Sequence, residues 1–151
     1  MCLKPSLLEF ADKINQIMPE IFKKFIRRQT SELFKGKVTL PQLFILNFLD
    51  KEVQSRMTDL ARFLNVTTAA ATGIVDRLVK YGYVQRVYEP LDRRIIKIKL
   101  TSKGLELLKK INQQKRQMII DIFGKISQVE RQDYLRILMR IHDILTKEDK
   151  A

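Results

Sequence analysis

The apolar pattern of this 151-residue chain changes period at Gly82 and returns to the helical period after Thr101. Before it, apolar residues recur at three- and four-residue steps, the mark of helices that pack by one face. After it, Ile96, Ile98 and Leu100 alternate with Lys97, Lys99 and Thr101, the period-two pattern of a half-buried strand. Tyr83–Tyr88, rich in Tyr and Val, reads as a second strand, and Glu89-Pro90-Leu91-Asp92-Arg93 as the turn between them. A hairpin set within helices predicts a mainly α fold with a small β-hairpin, its buried side made by Ile96, Ile98 and Leu100.

The flanking segments are read the same way. Residues 6–28 form an amphipathic helix through Leu7, Ala11, Ile14, Met18, Ile21 and Phe25, with a kink or short break expected at Pro19. Gly36-Lys37 ends it. A second helix starts with Thr39 as N-cap and Pro41 in the first turn, and points Leu43, Leu46 and Leu49 inward. A short third helix begins near Thr58-Asp59, and Asn65 closes it in the left-handed conformation that ends many helices. A fourth follows at once over Thr68–Tyr81. Two more, Lys103–Lys125 and Gln128–Thr146, complete the chain before a frayed tail, Lys147–Ala151.

Charge then narrows the function classes. The chain carries a formal +12, and residues 51–103 hold half of it, from eleven basic and five acidic groups. A polyanion is the natural partner of such a surface. One cysteine, Cys2, excludes an internal disulfide framework, and one histidine, His142, leaves no His/Cys metal cluster. No Gly-rich phosphate loop or serine elbow is present, so neither an enzyme nor a bound cofactor is expected. The longest uncharged stretches, Val38–Leu49 and Asn65–Val75, are shorter than the ~20 apolar residues of a membrane span. With no leader pattern either, a cytoplasmic protein is expected.

The unit 58–101 concentrates the rest of the information. At about 100° per residue, Ala70, Tyr81, Ile74, Leu78, Ala71 and Val75 share one side of the fourth helix. Thr68, Ala69, Thr72, Gly73, Asp76, Arg77 and Lys80 share the other. Such a face suits a helix entering a major groove: small side chains admit the backbone, hydroxyls reach base edges, and Arg77 and Lys80 reach phosphates. An ordinary solvated face would look similar. The basic hairpin that follows directly favours DNA, because helix, tight turn, helix and hairpin in that order make a winged helix-turn-helix.

At these residues the chain resembles the multiple-antibiotic-resistance regulator (MarR) family of transcription factors. Asp92-Arg93-Arg94 followed by Leu100-Thr101 is similar to its wing signature, and Gly73–Arg86 to its recognition helix running into the wing. The resemblance implies a sequence-specific double-stranded DNA-binding regulator, a repressor acting as a homodimer on a pseudo-palindromic operator and released by a small aromatic or anionic effector. It implies that Thr67 caps the recognition helix while Thr68, Ala69, Thr72, Asp76, Arg77 and Lys80 face DNA. In the wing, Arg94 would enter the minor groove with Asp92 holding its guanidinium by a salt bridge, and Arg86, Arg93, Lys97 and Lys99 would add contacts. Tyr81, Tyr83 and Phe63 would lie near the effector cleft.

Residues 37–102 would form the DNA-binding lobe, and residues 1–36 with 103–151 the helical dimerisation region. Ile137, Ile141 and Ile144 beside Leu138 and Leu145 make the last helix wider in its apolar face than one small domain requires. A well-buried core helix would account for this. A homodimer built on Ile14, Ile21, Leu138, Ile141 and Leu145 accounts for it too, and would set two recognition helices roughly 34 Å apart, one DNA turn. The alternative function is a winged-helix module that binds an acidic protein. It would need neither the small groove face nor the arginine at the wing tip. Cys2 as an oxidation sensor lacks neighbours that would lower its pKa.

Overall fold

The computed structural model describes residues 6–33, 38–92 and 94–148, with side chains outside 29–33. Cys2, Gly36-Lys37, Arg93 and the last three tail residues therefore lie outside the described residues. The described elements are α1 (Leu7–Leu33), α2 (Leu40–Glu52), β1 (Gln54–Arg56), α3 (Met57–Leu64), α4 (Thr68–Lys80), β2 (Val84–Tyr88), β3 (Ile96–Leu100), α5 (Ser102–Phe123) and α6 (Gln128–Glu148). The chain divides into two compact units, Met1–Gln114 and Lys115–Ala151. Among the described residues no helix is long and apolar enough to cross a membrane.

The first unit holds the buried core. Leu43, Ile45, Leu46 and Leu49 of α2 pack with Leu60 of α3, Val75 and Leu78 of α4, Val84 of β2, Ile98 of β3, and Leu108 and Ile111 of α5. Thr39 precedes α2 in an extended conformation, its N–H donating to Gln42 Oε1 at 2.8 Å, and Pro41 occupies the first turn. The sheet has the order β1-β3-β2, antiparallel throughout. Val84 faces Leu100, Arg86 faces Ile98 and Tyr88 faces Ile96 across the hairpin. On its other edge β3 pairs with β1 through Gln54–Lys99, Ser55–Ile98 and Arg56–Lys97.

Three expectations are corrected. The sheet has three strands rather than two: β1 has no apolar alternation, and its backbone is recruited by the open edge of β3. Ile96 is exposed, because it pairs with Tyr88 beyond the reach of the helical core, so of the alternating three only Ile98 is fully buried and Leu100 half-buried. α1 runs through Pro19 without a break. The proline removes one donor from a 27-residue helix and sits on an exposed position.

In the second unit α6 follows Ser127, whose hydroxyl accepts from Glu130 N–H at 3.3 Å while Glu130 Oε2 accepts from Ser127 N–H at 2.7 Å. This reciprocal capping box satisfies two donors at the helix start and holds the Glu130 carboxyl below its ordinary pKa. Ser6 and Glu9 repeat the arrangement at α1, with the same lowering for Glu9. Within the second unit the Phe123 and Tyr134 rings stack with centroids 5.2 Å apart, and Arg131 donates to the carbonyls of Phe123 and Ile126. No residue of α6 is buried.

Candidate nucleic-acid interface

The turn between α3 and α4 takes three residues, Asn65, Val66 and Thr67. Asn65 adopts φ 54° and ψ 46°, and the Val66 N–H returns to the Ala61 carbonyl at 3.0 Å, so α3 stops sharply. Thr67 Oγ1 then accepts from Ala70 N–H at 3.2 Å and starts α4. Burial fixes the orientation of α4, with Ala71, Val75 and Leu78 in the core. Thr68, Ala69, Gly73, Asp76, Arg77 and Lys80 are left on the exposed side. Ala70 and Tyr81, expected inside, are exposed instead, since the buried arc is narrow and centred between Ala71 and Val75. Thr72 is half-buried, and its hydroxyl donates to the Thr68 carbonyl at 2.8 Å. That bond leaves the Thr72 oxygen free to accept. A Cβ added at Gly73 would meet nothing within 4 Å.

The C-terminal end of α4 is tied to α5. Gly82 takes φ 74°, and Thr101 Oγ1 donates to its carbonyl at 2.6 Å while accepting from Gly104 N–H at 3.1 Å. Lys103 Nζ donates to the Tyr81 carbonyl at 2.8 Å and lies 5.2 Å from the centre of the Tyr83 ring. The Tyr81 and Tyr83 rings are 6.2 Å apart, whereas Phe63 stacks on Phe48 at 4.4 Å. The alternation that sets Thr101 beside Lys97 and Lys99 does not show this tie. Its signal is the Thr-Ser-Lys-Gly run directly after the strand, a helix start with a hydroxyl to spare.

In the wing, the Arg94 backbone N–H donates to Asp92 Oδ1 at 2.9 Å, and the Glu89 N–H reaches the Ile95 carbonyl at 3.0 Å. The Asp92 carboxylate therefore closes the turn. The expected salt bridge to the Arg94 guanidinium is absent among the described residues, because a side chain two residues back reaches the local N–H with less loss of freedom. Arg94 itself is exposed at the tip.

The cations of this face fall into two groups. Arg77, Lys80, Arg94 and Lys99 are exposed and carry no ion pair among the described residues. Lys97 is paired with Glu89 at 2.6 Å across the hairpin, and Arg86 is paired with Asp76 of α4. The spacing of the sequence shows neither pairing. Both remove a cation from the set that is free to meet phosphate.

Residues 38–96, which span this whole arrangement up to the start of β3, match the model of the MarR family. The HTH-type transcriptional repressor YetL of Bacillus subtilis is 34% identical over 124 residues, 82% of this chain and 65% of that protein. A solved MarR family protein from Bacillus stearothermophilus superposes with a TM-score of 0.82 at 20% identity, over 94% of this chain and 99% of that one. A MarR variant from E. coli, solved in complex with operator DNA, superposes with a TM-score of 0.65 at 21% identity, over 91% and 99%.

Proposed function

The chain belongs to the MarR family, and we propose on that premise that its α4 face and wing read a pseudo-palindromic operator as a homodimer. It is a DNA-binding transcription regulator of the winged helix-turn-helix class and not an enzyme. The observation that carries the reading is the exposed side of α4, where small residues at 68, 69 and 73 precede unpaired Arg77 and Lys80. In this reading Thr67, Thr68, Ala69, Thr72, Arg77 and Lys80 serve the major groove, and Arg94 with Lys99 the flanks. Arg93 adds charge to the wing, whereas the charge of Lys97 is offset by Glu89. Residues 37–102 act as the DNA-binding lobe.

The homodimer is supported by apolar side chains that nothing in the described chain buries. Ile14 and Ile21 of α1 and Leu138, Ile141 and Leu145 of α6 are between 39% and 55% exposed. On α6 the apolar residues spread well beyond one stripe, with Leu135 and Met139 on one side of the Leu138–Leu145 line and Ile137 and Ile144 on the other. Residues 1–36 and 103–151 thus serve as the dimerisation region of the proposal. Repression, release by a small aromatic or anionic effector and a cytoplasmic setting complete it by family resemblance.

Recovery of bound fragments from a random duplex pool tests the proposal. The expected result is enrichment of one sequence with twofold symmetry and half-sites one helical turn apart. Retention of duplexes without enrichment of any sequence would reject operator recognition and favour the acidic-partner module.

A further inference from the structure

We propose that Asp76 and Arg86 form a latch between the recognition helix and the wing, making Arg86 a positioning residue for DNA binding rather than a phosphate contact. This rests on the DNA-binding reading above and assigns roles within it. Arg86 Nη2 donates to Asp76 Oδ1, joining the outward face of α4 to β2. The two residues are ten apart in sequence, and the chain between them turns at Gly82.

Two physical consequences follow. Asp76 stands one turn beyond Thr72 on the side of α4 turned away from the core, where an unpaired carboxylate would repel DNA phosphates. The Arg86 guanidinium neutralises that charge and is itself occupied. The second consequence is mechanical. β2 and β3 are laddered from Val84–Leu100 to Tyr88–Ile96, so they swing as one body. The wing turn lies about four residues beyond Arg86, roughly 13 Å at 3.3 Å per residue. Rotating the hairpin by about 10° would move its tip by roughly 2 Å, several times the ~0.5 Å tolerance of a contact that must be preorganised. The backbone ties at Gly82 hold the base of the wing, and the Asp76–Arg86 pair supplies a second point of attachment further along β2.

The test uses the duplex that the parent protein enriches from a random pool, so failure of DNA binding itself is seen before any variant is made. Electrostatics alone makes Asp76→Asn bind DNA more tightly, since a negative charge leaves the interface. The latch demands the opposite: about tenfold or greater loss. Arg86→Gln is expected to lose a similar factor with an unchanged slope of log affinity against log salt. The Asp76→Asn/Arg86→Gln double variant is expected to lose no more than either single one, because the two act as a unit. Arg77→Gln is the comparator, with a salt slope reduced by about one per subunit. Tighter or unchanged binding by Asp76→Asn would overturn the latch, as would an Arg86→Gln slope that falls like that of Arg77→Gln. A second arm is independent of how well the single variants fold. Reversing both charges, Asp76→Arg with Arg86→Asp, is expected to bind better than either reversal alone, and equal or worse binding would also overturn the proposal.

Discussion

Gly73 and Gly104 offer the same substitution in two helices with opposite expected signs. Glycine in a helix interior is less favourable than alanine by about 0.8–1 kcal/mol. At Gly73 the added methyl meets open space, so Gly73→Ala is expected to realise most of that gain. For a chain of this length 1 kcal/mol raises Tm by roughly 2–4 °C. At Gly104 the added Cβ would stand 2.0 Å from the Tyr83 carbonyl oxygen and 2.9 Å from its carbon. Ordinary carbon–oxygen contacts are about 3.3–3.6 Å, so the β2 entry and the α5 start must separate by more than 1 Å. The Tyr83 oxygen also accepts from Thr101 N–H at 3.1 Å, and Gly104 N–H donates to Thr101 Oγ1, so both bonds are disturbed. Overpacking costs about 1–3 kcal/mol and each lost hydrogen bond about 1 kcal/mol, against a helix gain under 1 kcal/mol. A net loss near 3 kcal/mol is expected. Urea unfolding followed by helical circular dichroism, at one protomer concentration for all three proteins, measures both changes. A Gly104→Ala protein within 1 kcal/mol of the parent, or a Gly73→Ala protein less stable than it, would refute the packing argument.

Four other outcomes follow from particular residues. Val53 caps α2 at φ 64° and ψ −47°, a conformation a β-branched residue rarely adopts, and Val53→Gly is expected to stabilise the chain by about 1 kcal/mol in the same urea assay. The Ser127 hydroxyl and backbone N–H hold Glu130 below 4.5, so the stability of that cap is present above this value and is lost as pH falls through the lower, folded-state pKa. Carboxyl NMR titration should show Ser127→Ala moving Glu130 back up while Glu9, capped by Ser6, stays low. Sedimentation at micromolar concentration should report a dimer, and Ile141→Lys, placed in the middle of the exposed apolar strip of α6, should shift it towards monomer. Arg94→Ala should change stability by less than ~0.5 kcal/mol, because the side chain is exposed and unpaired, yet weaken operator binding and relax preference at the operator flanks in competition assays.

Periodicity by itself determined the helices, the hairpin and the order that makes a winged helix-turn-helix, because burial of one face repeats every 3.6 or every 2 residues and leaves its mark in the chain. Local chemistry determined the caps: Thr39, Asn65 and Thr67 act on backbone groups within a few residues of themselves. Gln54-Ser55-Arg56 carries no such mark. Its strand exists because β3 presents an open edge, and only the tertiary fold brings that edge to it. The exposure of Ile96 was decided the same way, by how far the helical core extends under the hairpin. Charge shows the limit most clearly. Composition places seven cations and three carboxylates among the recognition helix and wing residues, but which are free depends on where β2 crosses α4. The turn at Gly82 and the register of Arg86 opposite Ile98 set that crossing, and they pair Asp76 with Arg86 while leaving Arg77 and Lys80 unpaired. Side-chain reach is a few ångströms, and only a folded backbone brings residues ten apart within it.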